Sequence, residues 1–150
     1  MRDLRAIQLC TRQAWSFHGI PYKWGGDDPM AGFDCSGFVV ELMKSVGLLR
    51  RGVDLTAQGL YGAFRGGTGA SLVIPAEGCL VFWHSSSDAE RIIHVEYCLD
   101  DSHAIGASGG GGSSLTVQDA IEQNAYIKVR PFRSRKRLHG FADPFYHPIP

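Results

Sequence analysis

The sequence predicts an α+β fold, and two features carry that prediction. As far as Phe64 the apolar residues recur at helical spacing, whereas beyond Pro75 they gather into short runs of strand length. The 150 residues, 44% hydrophobic and 20% charged, are enough for one domain over 1–150 with its own core. That composition excludes a disordered segment.

Residues 3–18 read as the first helix, with Leu4, Ile7, Cys10, Ala14, Trp15 and Phe17 forming an apolar stripe. Gly19 supplies a stop and Pro21 forbids continuation. A Gly-rich loop over 21–33 follows, and Phe38, Val39, Leu42, Met43 and Val46 then mark a central helix capped by Asp34. Thr56 caps a short helix through Phe64, and 65–69 read as a loop. Strands are expected at 79–83, 92–99 and 103–107, the last two joined by a turn around Asp100 and Asp101. The run 106–114, GASGGGGSS, reads as a polar, flexible rim without regular structure; it lacks the lysine and the setting of a phosphate loop. Thr116 to Asp119 has the form of a capping box, and 125–130 make a last strand stopped by Pro131. The basic tail from Arg133 to His147 reads as a solvated charge run, with a docking surface as its alternative.

Fifteen basic and fifteen acidic residues cancel, so bulk charge selects no nucleic acid or other polyanion. The four cysteines lack the paired spacing of a zinc site, and no histidine pair has zincin spacing, so neither a metal nor a cofactor is expected. No run of about 18 apolar residues suits a membrane span, and no N-terminal apolar run resembles a signal peptide.

Cys35 is the residue with chemical promise. It follows the Gly-rich loop at the first turn of the central helix, where free N–H groups and the helix dipole favour an anion. A thiolate there is expected to have a depressed pKa and to act as a nucleophile, with the N–H groups of Cys35 and Ser36 as an oxyanion hole. A buried structural cysteine is the competing reading. His94 lies in an apolar strand that also carries Glu96 on the same face; His84 is the rival base.

PYKWGG at 21–26, FDCSGFV at 33–39, the Gln58 helix, EGCLVFW at 77–83 and IIHVEYCLDD at 92–101 together resemble the NlpC-type cysteine peptidases, papain-like enzymes that cut peptidoglycan stem peptides. The resemblance implies a papain-like fold in which helices carrying Cys35 pack on an antiparallel sheet carrying His94. It also implies Cys35 as nucleophile, His94 as base, and Tyr22, Asp34 and Ser36 around substrate and oxyanion. The substrate implied is a γ-D-glutamyl–diamino acid amide, cleaved through a thioester.

One position departs from the pattern. The family carries a polar residue to orient its histidine near position 106, where this chain has glycine. A hairpin centred on Asp100-Asp101, in which paired residue numbers sum to about 200, sets Gly106 opposite His94 and Ala104 opposite Glu96. Glu96 is then expected to orient His94, its bulk admitted by the missing side chain at Gly106. Ser108, His103 or a water are the alternatives. A catalytically weak binding module and an amidase acting on non-wall substrates are the rival functions. The missing signal peptide raises the expectation of a phage-like particle as carrier, with tail-tip proteins as partners and the basic tail as docking surface.

Overall fold

The computed structural model describes residues 1–65 and 73–146; most of the loop expected at 65–69, and His147, lie outside them. Asp3 caps the first helix, α1 (Leu4–Ser16), by accepting the N–H of Ala6 at 3.0 Å. Ile7, Cys10 and Ala14 are its buried stripe. Leu4 and Trp15, expected in that stripe, are exposed. They sit about 60–80° around the helix from Ile7, on the flank of the contact face.

The segment read as a plain loop contains a minute hairpin, β1 (Asp27–Asp28) with β2 (Gly32–Phe33). The Asp28 carboxylate closes its turn by accepting the N–H groups of Met30 and Ala31 at 2.8 and 3.0 Å. The central helix, α2 (Cys35–Ser45), follows directly. Asp34 caps it, accepting from Gly37 N–H at 2.7 Å, and Phe38, Val39, Val40, Leu42 and Met43 are buried. A Cβ at Gly37 would collide with the carbonyl oxygen of Gly26, so glycine here lets the loop lie against the first turn. Thr56 caps α3 (Ala57–Phe64) through Gly59 N–H.

Among the described residues one five-stranded antiparallel sheet follows: β3 (Leu80–His84), β4 (Ile92–Cys98), β5 (His103–Ser108), β6 (Tyr126–Pro131) and β7 (Leu138–Ala142), in the order β6-β5-β4-β3-β7. Between β5 and β6 lies α4 (Val117–Glu122), whose capping box uses Thr116 and Asp119 as expected. One face of the sheet presents Leu80, Phe82, Val95, Tyr97 and Ile105 to the core shared with the helices. The other buries Cys79, Val81, Trp83, Cys98 and Ala104 against Phe132. This second face is covered by the tail. The stretch expected to be a solvated charge run supplies partly buried Leu138 and Phe141, next to Phe132 just before it, and a fifth strand on β3. Its apolar residues, spaced among the cations, determine this packing, and the surface expected to dock elsewhere is largely turned onto its own sheet. Arg133, Lys136 and Arg137 remain exposed.

Two expectations for β5 are corrected. Gly106 and Ala107, read both as the end of the strand and as the start of a flexible rim, belong to the strand, and Ser108, assigned to the rim alone, completes it, because small residues fit a buried position between β4 and β6. The β4–β5 register pairs Tyr97 with Ile105 and Cys98 with Ala104, a sum of 202 rather than 200. The turn is longer than expected. Leu99 N–H bonds the His103 carbonyl, and the Asp100 carboxylate accepts the N–H groups of Ser102 and His103 at 2.7 and 2.6 Å. The two-residue slide keeps every side chain on its expected face and brings Gly106 opposite Glu96.

Candidate active site

Cys35 opens α2, and its Sγ lies 3.9 Å from the Ile93 carbonyl on β4. The His94 side chain is close enough to the thiol for Cys35 to act on its pKa. His94 Nε2 meets Glu96 Oε2 at 2.6 Å, which leaves Nδ1 as the ring nitrogen not taken by the carboxylate. The three side chains form a line from α2 into the second face of the sheet.

Glu96 is fully buried, and its environment explains how a charge is tolerated there. Arg135 donates to both carboxylate oxygens, at 2.9 and 2.8 Å, a two-pronged pair that fixes the plane of the carboxylate. Ser108 Oγ donates to Oε2 at 2.9 Å and itself accepts from Arg130 Nη2 at 2.6 Å. The Arg135 guanidinium lies 3.9 Å from the centre of the Trp83 ring, and the Trp83 and His94 ring centres are 5.3 Å apart. Burial disfavours a charged His94, but the hydrogen bonds and charges of Cys35 and Glu96 outweigh it and raise its pKa to about 9. Burial likewise opposes ionisation of Glu96, yet His94 and Arg135 hold its carboxyl well below the usual range. His94 is thus poised to carry a proton beside a permanent carboxylate.

Around the sulfur, Tyr22 is buried, with its phenol beside Cys35 and Asp34. Burial first, then the charges of Cys35 and Asp34, push the phenol pKa upward. Asp34 accepts from Gly25 N–H at 3.1 Å and Ser36 Oγ at 3.3 Å besides capping α2, and burial raises its carboxyl. These groups line an open groove of about 790 Å³ together with Trp24, Trp83 and His94.

The NlpC/P60 family model matches residues 19–131, which include the whole of this constellation except Arg135. The chain belongs to the NlpC/P60 family. It is 30% identical over 104 residues to the bifunctional muramidase/DL-endopeptidase CwlT of Bacillus subtilis, an alignment covering 69% of this chain and 30% of that protein. It is 35% identical over 57 residues to the murein DD-endopeptidase MepH of Escherichia coli, covering 38% of this chain and 20% of that one. The chain therefore spans less than a third of either relative. Two solved structures share the fold. A lipoprotein-like NLP/P60 protein from Staphylococcus aureus gives a TM-score of 0.71 at 23% identity, over 97% of this chain and 43% of the other. The peptidoglycan hydrolase RipB from Mycobacterium tuberculosis gives 0.67 at 23%, over 95% and 66%. The papain-like α+β architecture expected from the sequence is the one observed.

Within this NlpC/P60 domain the structure brings Tyr22, Asp34, Cys35, Ser36, His94, Glu96 and Ser108 to one site. Of the two other histidines weighed at first, His103 lies outside the site, whereas His84 lines the groove. His103 is exposed beside Asp100 at the far end of the hairpin, with 3.3 Å between its Nδ1 and Oδ1. His84 turns its Nδ1 to the Ser85 carbonyl at 3.0 Å. Arg135, Arg130 and Trp83 were not anticipated. A signal for Arg135 existed: a carboxylate on the inward face of an apolar strand needs a cationic partner, and the RSRKR run is the densest source of one.

Gly106 is the counterpart of Glu96. A Cβ at 106 would overlap Glu96 Cγ, so the glycine is what admits the acid. Gly106→Ala is expected to cost about 1–3 kcal/mol of stability by overpacking. Activity should fall with it, as Glu96 is pushed off His94; thermal denaturation and turnover measured together check this. Thiol chemistry gives a second expectation. Cys10, Cys79 and Cys98 are buried, and burial raises their pKa values, that of Cys10 to about 12. Iodoacetamide followed by peptide mapping should modify Cys35 first by a wide margin; comparable labelling of the other three contradicts the site.

Proposed function

We propose that the chain is a cysteine endopeptidase of peptidoglycan that hydrolyses the γ-D-glutamyl–diamino acid amide of stem peptides. The observation that carries this reading is the line from Cys35 through His94 to Glu96, set at the floor of an open groove. Cys35 attacks the amide carbonyl carbon as the thiolate, its proton held by His94, and the oxygen takes the negative charge beside the Cys35 N–H and the Tyr22 phenol. His94, carrying a proton at neutral pH, gives it to the leaving nitrogen as the C–N bond breaks, leaving a thioester and a free amine. Neutral His94 then takes a proton from water, whose oxygen attacks the thioester; the C–S bond breaks, the acid leaves, and the Cys35 thiolate and charged His94 are restored. Glu96 stabilises the charged imidazole and fixes its orientation.

The choice of bond rests on the helix side of the groove. Asp34 and Ser36 adjoin the nucleophile, where an acidic group suits the free ammonium of a short acyl half such as alanyl-γ-glutamate. The relative that covers more of this chain also has DL-endopeptidase in its name. Digestion of purified peptidoglycan followed by mass spectrometry tests the proposal. The expected products end in γ-glutamate on one side and begin with a free diamino acid on the other. Cleavage of cross-links alone points to the DD bond named for the E. coli relative, and intact wall overturns the assignment.

A further inference from the structure

The chain's balanced charge is separated inside the groove. On the helix wall the charged group is Asp34, and a smaller adjoining cleft adds Asp27 and Asp54. On the strand wall the groove is lined by Arg91, Arg130, Arg135, Lys136 and Arg137. Glu96, the acid of that wall, is fully buried and engaged by His94 and Arg135. Asp88 and Glu90, close in sequence to Arg91, do not line the groove.

Arg130 and Arg135 are held by Ser108 and Glu96. The side chains of Arg91, Lys136 and Arg137 have no hydrogen bond or ion pair among the described residues. Two of the three are anchored through their backbones. The carbonyl of Arg137 accepts from His84 N–H at 3.0 Å and that of Arg91 from Ser85 N–H at 2.8 Å, so they flank the end of β3. The β3 ladders shift register at this point on both sides, between Phe82 and Trp83 towards β7 and between Trp83 and His84 towards β4. Bulges of this kind re-aim side chains at the rim of a site. Arg137 also holds a φ of 66°, a left-handed conformation that a long side chain seldom adopts. Such strain is typical of residues held in place at a binding rim.

We infer that the strand wall is a carboxylate-binding subsite for the leaving half of the substrate, formed by Arg91, Lys136 and Arg137. The inference rests on the endopeptidase reading and extends it to specificity. His94 must reach the leaving nitrogen, so the leaving half lies on the strand wall, where the unpaired cations stand. The acyl half, with its ammonium, lies towards Asp34. A diamino acid segment offers two sources of carboxylate, the side chain of the diamino acid and the C-terminus of the peptide, and either presents the same group to the guanidinium fork. The enzyme then prefers stems whose leaving half carries free carboxylates over stems in which these are blocked as amides.

The test compares alanyl-γ-D-glutamyl-diaminopimelyl-D-alanine in its free form with versions amidated at the diaminopimelyl side chain, at the C-terminus, or at both. Full amidation is expected to lower kcat/KM about tenfold, mainly through KM, since each exposed charge contact contributes a factor of about two to five. The singly amidated peptides identify which carboxylate is read. Raising the ionic strength should weaken the free peptide more than the amidated one, because screening acts on the additional charge contact. In Arg91→Gln, Lys136→Gln and Arg137→Asn variants the preference for the free peptide should shrink towards one. Titration calorimetry of the unreactive leaving half, diaminopimelyl-D-alanine, free and amidated, separates the two readings. If the stems stay intact but the free leaving half alone binds, and binds less to Arg137→Asn, the subsite stands and the proposed reaction fails. If free and amidated stems are cut alike, or the variants lower both equally, the subsite is overturned and the endopeptidase stands.

Discussion

Replacing Cys35 by alanine is expected to abolish peptidoglycan digestion, with turnover falling by about four orders of magnitude or more and the fold intact. The size of the effect follows from the role: without sulfur there is no thioester route, and what remains is binding and oxyanion stabilisation. The intact fold follows from the packing. Cys35 is only part-buried, its sulfur meets the Ile93 carbonyl at a long 3.9 Å, and the helix start is secured by Asp34 rather than by the thiol. The change in stability should stay within about 1–2 kcal/mol. Circular dichroism and thermal denaturation of Cys35→Ala, run beside wall-digestion assays, check both halves. An unfolded variant makes Cys35 a structural cysteine, and a folded variant that still digests wall removes it from the mechanism.

The parts of this site that were legible in the sequence are those fixed by local pattern. Asp34, Thr56 and Thr116 announce helix starts because a short polar side chain before an apolar period has one economical use. The alternation of β4 places His94 and Glu96 on one face whatever the register, which is why a two-residue error in the hairpin did not disturb their pairing. What was not legible is non-local. The tail reads as a charge run because its four cations are clustered over 133–137 while Leu138, Phe141 and Phe145 are scattered. Its meaning emerges only when β7 pairs with β3, more than fifty residues earlier in the chain. Arg135 belongs to the same class. Its partner Glu96 lies 39 positions away, and only the demand that a buried carboxylate be neutralised connects them.

Glu96→Gln should cause the other large loss, and its signature is a displaced pH profile. Glutamine keeps the shape but removes the charge that faces His94 and Arg135 at 2.6 and 2.8 Å. In the native protein the imidazolium survives up to about pH 9, so activity should persist at mildly alkaline pH and fall as pH rises through that value. Without the carboxylate, the pull of Glu96 on His94 is gone, and the alkaline limb should move down towards the ordinary histidine value of about 6.5. Turnover at pH 8 is expected to drop by about two to four orders of magnitude, as when the orienting acid of a triad is neutralised. Stability should change with a defined sign. Because its folded pKa is raised, His94 stabilises the fold fully below its unfolded value of about 6.5, a contribution lost as pH rises through about 9. Because the folded pKa of Glu96 is lowered, its contribution is present above its unfolded value of about 4.5 and is lost as pH falls through the folded one. The variant should lose the Glu96 dependence and show a smaller one from His94, on which Cys35 still acts, and it should be weaker by about 3–5 kcal/mol near neutrality because Arg135 is left without its anion. His103→Ala, at an exposed position on the hairpin turn, should leave rate and pH profile unchanged. An alkaline limb that stays near pH 9 in folded Glu96→Gln, or a His103→Ala variant that loses more activity than Glu96→Gln, would remove Glu96 from its role as the group that orients His94.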